Sequence, residues 1–164
     1  ILEAKIFIRK DGIIIISANI EATERLTANN LEIWKNLKED LGNIFKGHEN
    51  LSNLLAQRTR YISEKKITEA IIPKAEVYNE NDPHFSVVRI EARDHLGMLY
   101  KISTVFADFG IQIHSAKIST LGGHGIDVFY VSLQNKKILS EKLVRHVKEK
   151  IISVMMVQNP EDID

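Results

Sequence analysis

Apolar residues recur along this chain with two periods, and the period identifies each element. Residues 1–9 and 13–20 are isoleucine-rich, β-favouring runs separated by Lys10, Asp11 and Gly12, which reads as a hairpin. Leu31, Trp34, Leu37, Leu41, Ile44 and Phe45 fall at helical spacing and predict an amphipathic helix over 31–45. Polar, helix-favouring residues 48–70 follow as a linker or an added helix, and 76–79, after Pro73, reads as a strand. Residues 85–92 form the next apolar strand. Leu99, Ile102, Val105, Phe106 and Phe109 then predict a helix over 97–109 that Gly110 stops. Residues 111–121 and 124–133 are strands joined by Gly122 and Gly123, a two-residue hairpin signal. Ser140 opens a second helix with Leu143, Val144, Val147 and Ile151 on one side, and 152–157 reads as a closing strand cut off by Pro160.

The order over 84–160 is β-α-β-β-α-β, a ferredoxin-like α+β module. Part of it repeats. Ile1, Ala4, Lys5 and Ile6 match Ile113, Ala116, Lys117 and Ile118 at an offset of 112 residues, and each copy precedes a glycine (Gly12; Gly125) and an apolar run. On that frame 1–9 is the second strand of a first module, 13–20 its third, 31–45 its second helix and 76–79 its closing strand. Its first strand and first helix are not in the chain. The offset puts the counterpart of Phe85 about 28 residues ahead of residue 1. The expectation is a truncated first module with a linker helix over 1–80 and a complete module over 84–160, the C-terminal piece of something longer. Ile14 then stands near the position of Asp127 in the second copy.

Composition narrows the chemistry. The chain has 164 residues, enough for about one ordinary domain, with 44% hydrophobic and 27% charged residues. Lys+Arg and Asp+Glu are 22 each, and the densest basic clusters are pairs such as Lys65-Lys66 and Lys136-Lys137. That argues against nucleic acid and anionic membrane as partners, both of which attract basic patches. Zero cysteines exclude disulfides and thiolate chemistry and suit a reducing cytoplasm. The longest run of isoleucines, 13–16, is far too short to span a bilayer.

Candidate chemistry concentrates where the strand over 85–92 runs into Asp94-His95-Leu96-Gly97-Met98-Leu99. An acidic residue ends the strand and a glycine opens the helix. In the plainest reading Asp94 only caps that helix and Gly97 only relieves crowding against the next strand. The free N–H groups of a helix's first turn also form a natural carboxylate site. The six histidines show no metal spacing: His114 and His124 share a hairpin but stand roughly 23 Å apart along the strand. His114 reads as a half-buried packing residue or a ligand contact, and His124 as solvated. Glu91, Asp94 and Asp127 do not define an acid/base cleft, and Asp127 reads as a structural hydrogen-bonding residue. Adjacent Phe129 and Tyr130 point to opposite faces, unlike the stacking aromatics of RNA-recognition motifs. Trp34 reads as packing.

Asp94-x-x-Gly97-x-Leu99 after a strand, then 110–113 and 126–131, resembles the ACT domain, a regulatory amino-acid-binding fold. The segments 92–100, 113–118 and 127–131 are similar to the last ACT domain of the bifunctional PII uridylyltransferase/uridylyl-removing family. That family ends in two tandem ACT domains, and residues 1–6, 10–12 and 77–82 resemble its first ACT domain and linker. The resemblance implies a nucleotidyltransferase and a metal-dependent His-Asp hydrolase elsewhere, with Mg expected only there. Neither catalytic signature is in this chain, so no catalytic residue, metal ligand or cofactor is assigned. It implies glutamine as allosteric ligand, bound where loop 94–99 faces the start of the second strand. The site residues are then Asp94, His95, Leu96, Gly97, Met98, Leu99, Gln112, Ile113 and His114. The implied partners are the catalytic domains of the parent enzyme and, through them, the PII signalling protein, in the cytoplasm. The family usually has Arg-Pro at His95-Leu96, and losing proline loosens the turn. The alternative is a non-sensing ACT module that only dimerises or docks on a partner.

Overall fold

The computed structural model describes residues 3–9, 11–19, 31–59, 71–138 and 140–156. In chain order the elements are β1 (Glu3–Ile8), β2 (Ile14–Asn19), α1 (Leu31–Phe45), α2 (Leu51–Thr59), β3 (Lys74–Tyr78), β4 (Ser86–Arg93), α3 (Met98–Asp108), β5 (Ile111–Leu121), β6 (His124–Leu133) and α4 (Glu141–Met156). They fall into two compact units, Ile1–Ile20 with Ile67–Asp164, and Glu21–Lys66.

The first unit is a six-stranded sheet of order β2-β1-β5-β6-β4-β3 in which every neighbouring pair is antiparallel. Alternation decides its faces. Ile90 and Ala92 of β4, Phe129 and Val131 of β6, and Ala116 and Ile118 of β5 are buried, and their strand neighbours Arg89, Glu91, Val128, Tyr130 and Lys117 are not. The buried set forms one core with Ile102, Val105 and Phe106 of α3 and Val147, Ile151 and Met155 of α4. Phe106 meets Phe129 edge-on at 5.4 Å. Each fully buried Ile, Val or Phe of this set contributes about 1.5–3 kcal/mol of transfer free energy. The chain turns from β5 to β6 through Gly122 (φ 59°) and Gly123 (φ 82°), which supply the two left-handed positions that a two-residue hairpin demands.

The α+β ferredoxin-like reading holds with one substitution of parts. Residues 152–156 are not a strand; they continue α4 as far as Met156. Val147, Ile151 and Met155 keep the helical spacing that carries this face into the core. The edge beside β4, where a closing strand would lie, is taken by β3, antiparallel to β4 with Val77 opposite Val88. Strand 76–79 therefore does not close a first module. A buried network pins it: Ser86 Oγ donates to Asn79 Oδ1 (2.7 Å) and accepts from Ile138 N (2.8 Å), and Asn79 Nδ2 donates to Ile138 O (3.1 Å).

At the other side, β1 pairs with β5 so that Ala4 faces Ile118, Lys5 faces Lys117 and Ile6 faces Ala116. The two strands of the sequence repeat thus meet about a local pseudo-two-fold axis on which Lys5 and its own counterpart lie. The β1–β2 register sets Ile6 opposite Ile16, and Ile118 stands level with Asp127, so Ile16 rather than Ile14 corresponds to Asp127. The two hairpins also turn differently. Gly12 (φ 84°) lies in a five-residue loop, and Gly125 lies within β6.

The second unit holds α1 and α2. Helix α1 ends at left-handed Gly47, with Gly47 N donating to Ile44 O and His48 N to Asn43 O, a Schellman ending. Asn50 Oδ1 accepts from Ser52 N (2.9 Å) and starts α2. No described residue of α1 is buried, and its stripe of Leu31, Trp34, Leu37, Leu41 and Phe45 stays exposed. The added-helix expectation for 48–70 is met over Leu51–Thr59; residues 60–70 lie outside the described residues.

Candidate functional site

Loop 94–97 is held between β4 and α3 by few bonds. Asp94 N donates to Gly123 O (2.9 Å), tying the loop to the β5–β6 turn, and Met98 N donates to His95 O (3.2 Å). Gly97 then adopts φ 83°, a left-handed conformation that a side chain would strain, and α3 starts. No side chain caps α3. Asp94 therefore does not act as the cap that its place before the helix suggested, and its side chain is exposed. Leu96 is exposed too, whereas Met98 is buried beneath the first turn. His95 Nδ1 bonds Leu96 O (2.9 Å).

Two residues beneath this loop carry the electrostatics. Gly125 leaves room for α3: a Cβ there would stand 3.1 Å from the Met98 methyl and 3.4 Å from Ala92 O. Two positions along β6 on the same face, Asp127 is fully buried. Its Oδ1 accepts from Ser119 N (3.4 Å), and its Oδ2 has no hydrogen-bond partner. Burial pushes this carboxyl up to about 7, helped by the charge of Asp94 and opposed by the Ser119 N–H. His95 Nε2 and His124 Nε2 are likewise buried without partners, so His124 is not solvated as its place beside the turn suggested. Sequence reasoning assigned Asp127 its hydrogen-bonding role but not its burial under the loop. A glycine inside a strand was the available signal for close approach there.

The structure brings Asp94, His95, Leu96, Gly97, Met98 and Leu99 together but places Gln112, Ile113 and His114 elsewhere. Gln112 pairs with Ser132 and Ile113 with Val131, level with Ser86 at the start of β4. Loop 94–97 leaves the far end of that strand, about 23 Å away at the rise of a β-strand. Within this chain the loop does not face the start of β5. His114 sits at a register shift in β5, stacks on Phe85 at 4.4 Å and bonds Ser132 Oγ at 2.8 Å, a packing role. What lies beside the loop instead is the end of β5, and past it the start of β1, because Glu3 pairs with Ser119. Among the described residues no group of three or more His, Cys, Asp or Glu is placed to hold a metal ion, and no helix is long and apolar enough to cross a membrane.

This geometry offers an uncapped helix start, an exposed carboxylate and a buried protonatable one around a glycine-opened turn. It suits a small ligand carrying both signs of charge, such as an amino acid. Residues 81–158 match the family model of the ACR family N-terminal ACT domain. The second half of this chain therefore carries an ACT domain, a regulatory ligand-binding module. The matched span starts after β3, so the strand that completes the sheet beside β4 comes from outside it. No solved structure matches the chain.

Proposed function

We propose that this chain is the glutamine-sensing regulatory part of a PII uridylyltransferase/uridylyl-removing enzyme. The observation that carries the sensor reading is the Asp94–Leu99 turn. A left-handed glycine opens α3 with no side-chain cap, above a buried carboxyl with one oxygen unpartnered. In this reading the first turn of α3 receives the ligand carboxylate and Asp94 its ammonium. Catalysis and Mg belong to other domains of the parent protein, which acts on the PII protein in the cytoplasm. Glutamine controls those domains only through different affinities for two arrangements of the regulatory part. High glutamine disfavours uridylylation and favours UMP removal. Calorimetric titration of the chain with L-glutamine is the test, with circular dichroism as the control for folding. Saturable heat that Asp94→Asn weakens at least tenfold supports the reading. No heat from a folded chain removes it.

The second reading, a docking module without a ligand, is favoured by one observation. Ile14, Ile15 and Ile16 of β2 are about half exposed or more, at 50%, 49% and 64%. An intact fold with no response to any proteinogenic amino acid is the outcome that selects it.

A further inference from the structure

Helices α3 and α4 pack on one face of the sheet, and the other face carries an ordered row of side chains. The ladders set Phe7, Ser115, Tyr130, Val87 and Tyr78 level with one another across β1, β5, β6, β4 and β3. Rings and small side chains therefore alternate along one line, drawn from five strands. Val87 is only 6% exposed, so the gap between the two tyrosines is filled. Ser115 is half-buried and Phe7 is 52% exposed, so the gap between Phe7 and Tyr130 is open. Two ladder spacings put the strands of these two rings about 9.6 Å apart. Stacking one planar group between the rings takes about 7 Å, two contacts of van der Waals length. A slight inward lean of the rings closes the difference.

Charge lies beside this slot. Two residues along the same strands, on the same face, Lys5 and Lys117 stand opposite one another. Both are exposed, and their Cα atoms lie roughly 5 Å apart. Glu3 meets Lys5 at 3.6 Å from the side away from the rings, and an exposed pair of this kind is weak. At the other end of the row the charges neutralise one another. Arg89 pairs with Glu76 and Glu91, and Tyr78 Oη donates to Glu76. The cations that border the open slot are therefore the two lysines. A planar group in the slot and an anion on the lysines stand about 6.6 Å apart, two residues of strand. In a nucleotide one sugar separates base from phosphate over a gap of that order. We propose that Phe7, Tyr130, Lys5 and Lys117 form a nucleotide site, in which the base stacks between the rings over Ser115 and the phosphate bridges the lysines. One slot and one pair of cations fit a single nucleoside phosphate. A chain of zero net charge gives a longer polyanion little further hold. Helix α3 packs on the other face, so this site is separate from the amino-acid site at its first turn and stands whether or not glutamine binds.

Separate NMR titrations of the isotope-labelled chain with AMP, adenosine and inorganic phosphate are the test. AMP should give saturable amide shifts at Lys5, Phe7, Ser115, Lys117 and Tyr130. Adenosine and phosphate should each bind at least about tenfold more weakly, because each keeps only one half of the contacts. Phe7→Ala should weaken AMP at least about fivefold, and its exposed ring lies outside the core. Lys117→Glu should weaken AMP at least about tenfold while it relieves the like-charge pair and stabilises the fold, so a loss of binding is not a loss of structure. No saturable shift up to about 10 mM AMP overturns the proposal. So does phosphate that binds as tightly as AMP, which reduces the site to its lysines, and so does an AMP affinity that neither variant changes. An oligoadenylate that binds more than about tenfold more tightly per nucleotide, with shifts reaching Arg89 and Tyr78, overturns it in favour of a single strand.

Discussion

Lys5 and Lys117 stand directly opposite one another across the β1–β5 ladder, each the counterpart of the other in the internal repeat. Like charges at a directly opposed pair are unfavourable, and among the described residues only Lys5 of the two has a carboxylate at hand, Glu3 at 3.6 Å. Lys117→Glu should therefore stabilise the fold by about 0.2–1 kcal/mol, and Lys5→Glu by less because it also loses Glu3. The double reversal should return to near wild type. Urea denaturation of the four proteins reads the cycle, and a stabilisation by Lys117→Glu that survives added Lys5→Glu would argue against the register.

Asp127 makes stability depend on pH in an unusual direction. Its folded value of about 7 lies above the ordinary 3.8, so folding favours the protonated form. The stability it confers is complete below about pH 4, declines as pH rises toward 7 and is gone above it. Asp82 works the opposite way and at lower pH, because N–H groups of His84 and Phe85 bond its carboxylate and pull it down. Between pH 5 and 8 the melting temperature should fall for wild type and stay nearly level for Asp127→Asn, which keeps an acceptor for Ser119 N–H. Parallel curves for the two proteins would show that the buried carboxyl is not protonated.

Ser86 joins β4, the end of β3 and the 133–138 loop through two hydrogen bonds. Ser86→Ala leaves the Ile138 N–H and Asn79 Oδ1 without that partner in a site with no exposure, at a cost of about 1–3 kcal/mol. The loss should appear first as faster amide exchange in Lys74–Tyr78. A uniform change across the sheet would mean that β3 is fastened by its strand pairing alone.

Most of the architecture was legible because periodicity reports which side of an element meets the core. Ile90, Phe106, Phe129 and Val147 are buried where their spacing puts them. The failures share a cause. Residues 152–156 carry a β-branched, apolar sequence, but what decides their state is the face shared with Val147 and Ile151 and the edge already filled by β3. That edge is filled from 74–78, distant in the chain, and local pattern holds no record of distant pairing. The candidate site was legible as a motif and not as a geometry. Asp94 through Leu99 are contiguous and arrive together, whereas joining them to Gln112–His114 required knowing that α3 carries the chain back to the opposite end of the sheet. The burial of Asp127 depends on Gly125 letting α3 approach, a relation between two elements that neither segment displays alone.

The central claim is that an amino acid binds at the start of α3. An NMR titration of the isotope-labelled chain with L-glutamine tests it most directly, because each backbone amide reports its own surroundings. Saturable shifts should be concentrated at Asp94–Leu99, with smaller ones at Ser119 and Asp127, while Gln112, Ile113 and His114 remain still. Shifts confined to 112–114, or none anywhere in a folded chain, would contradict it.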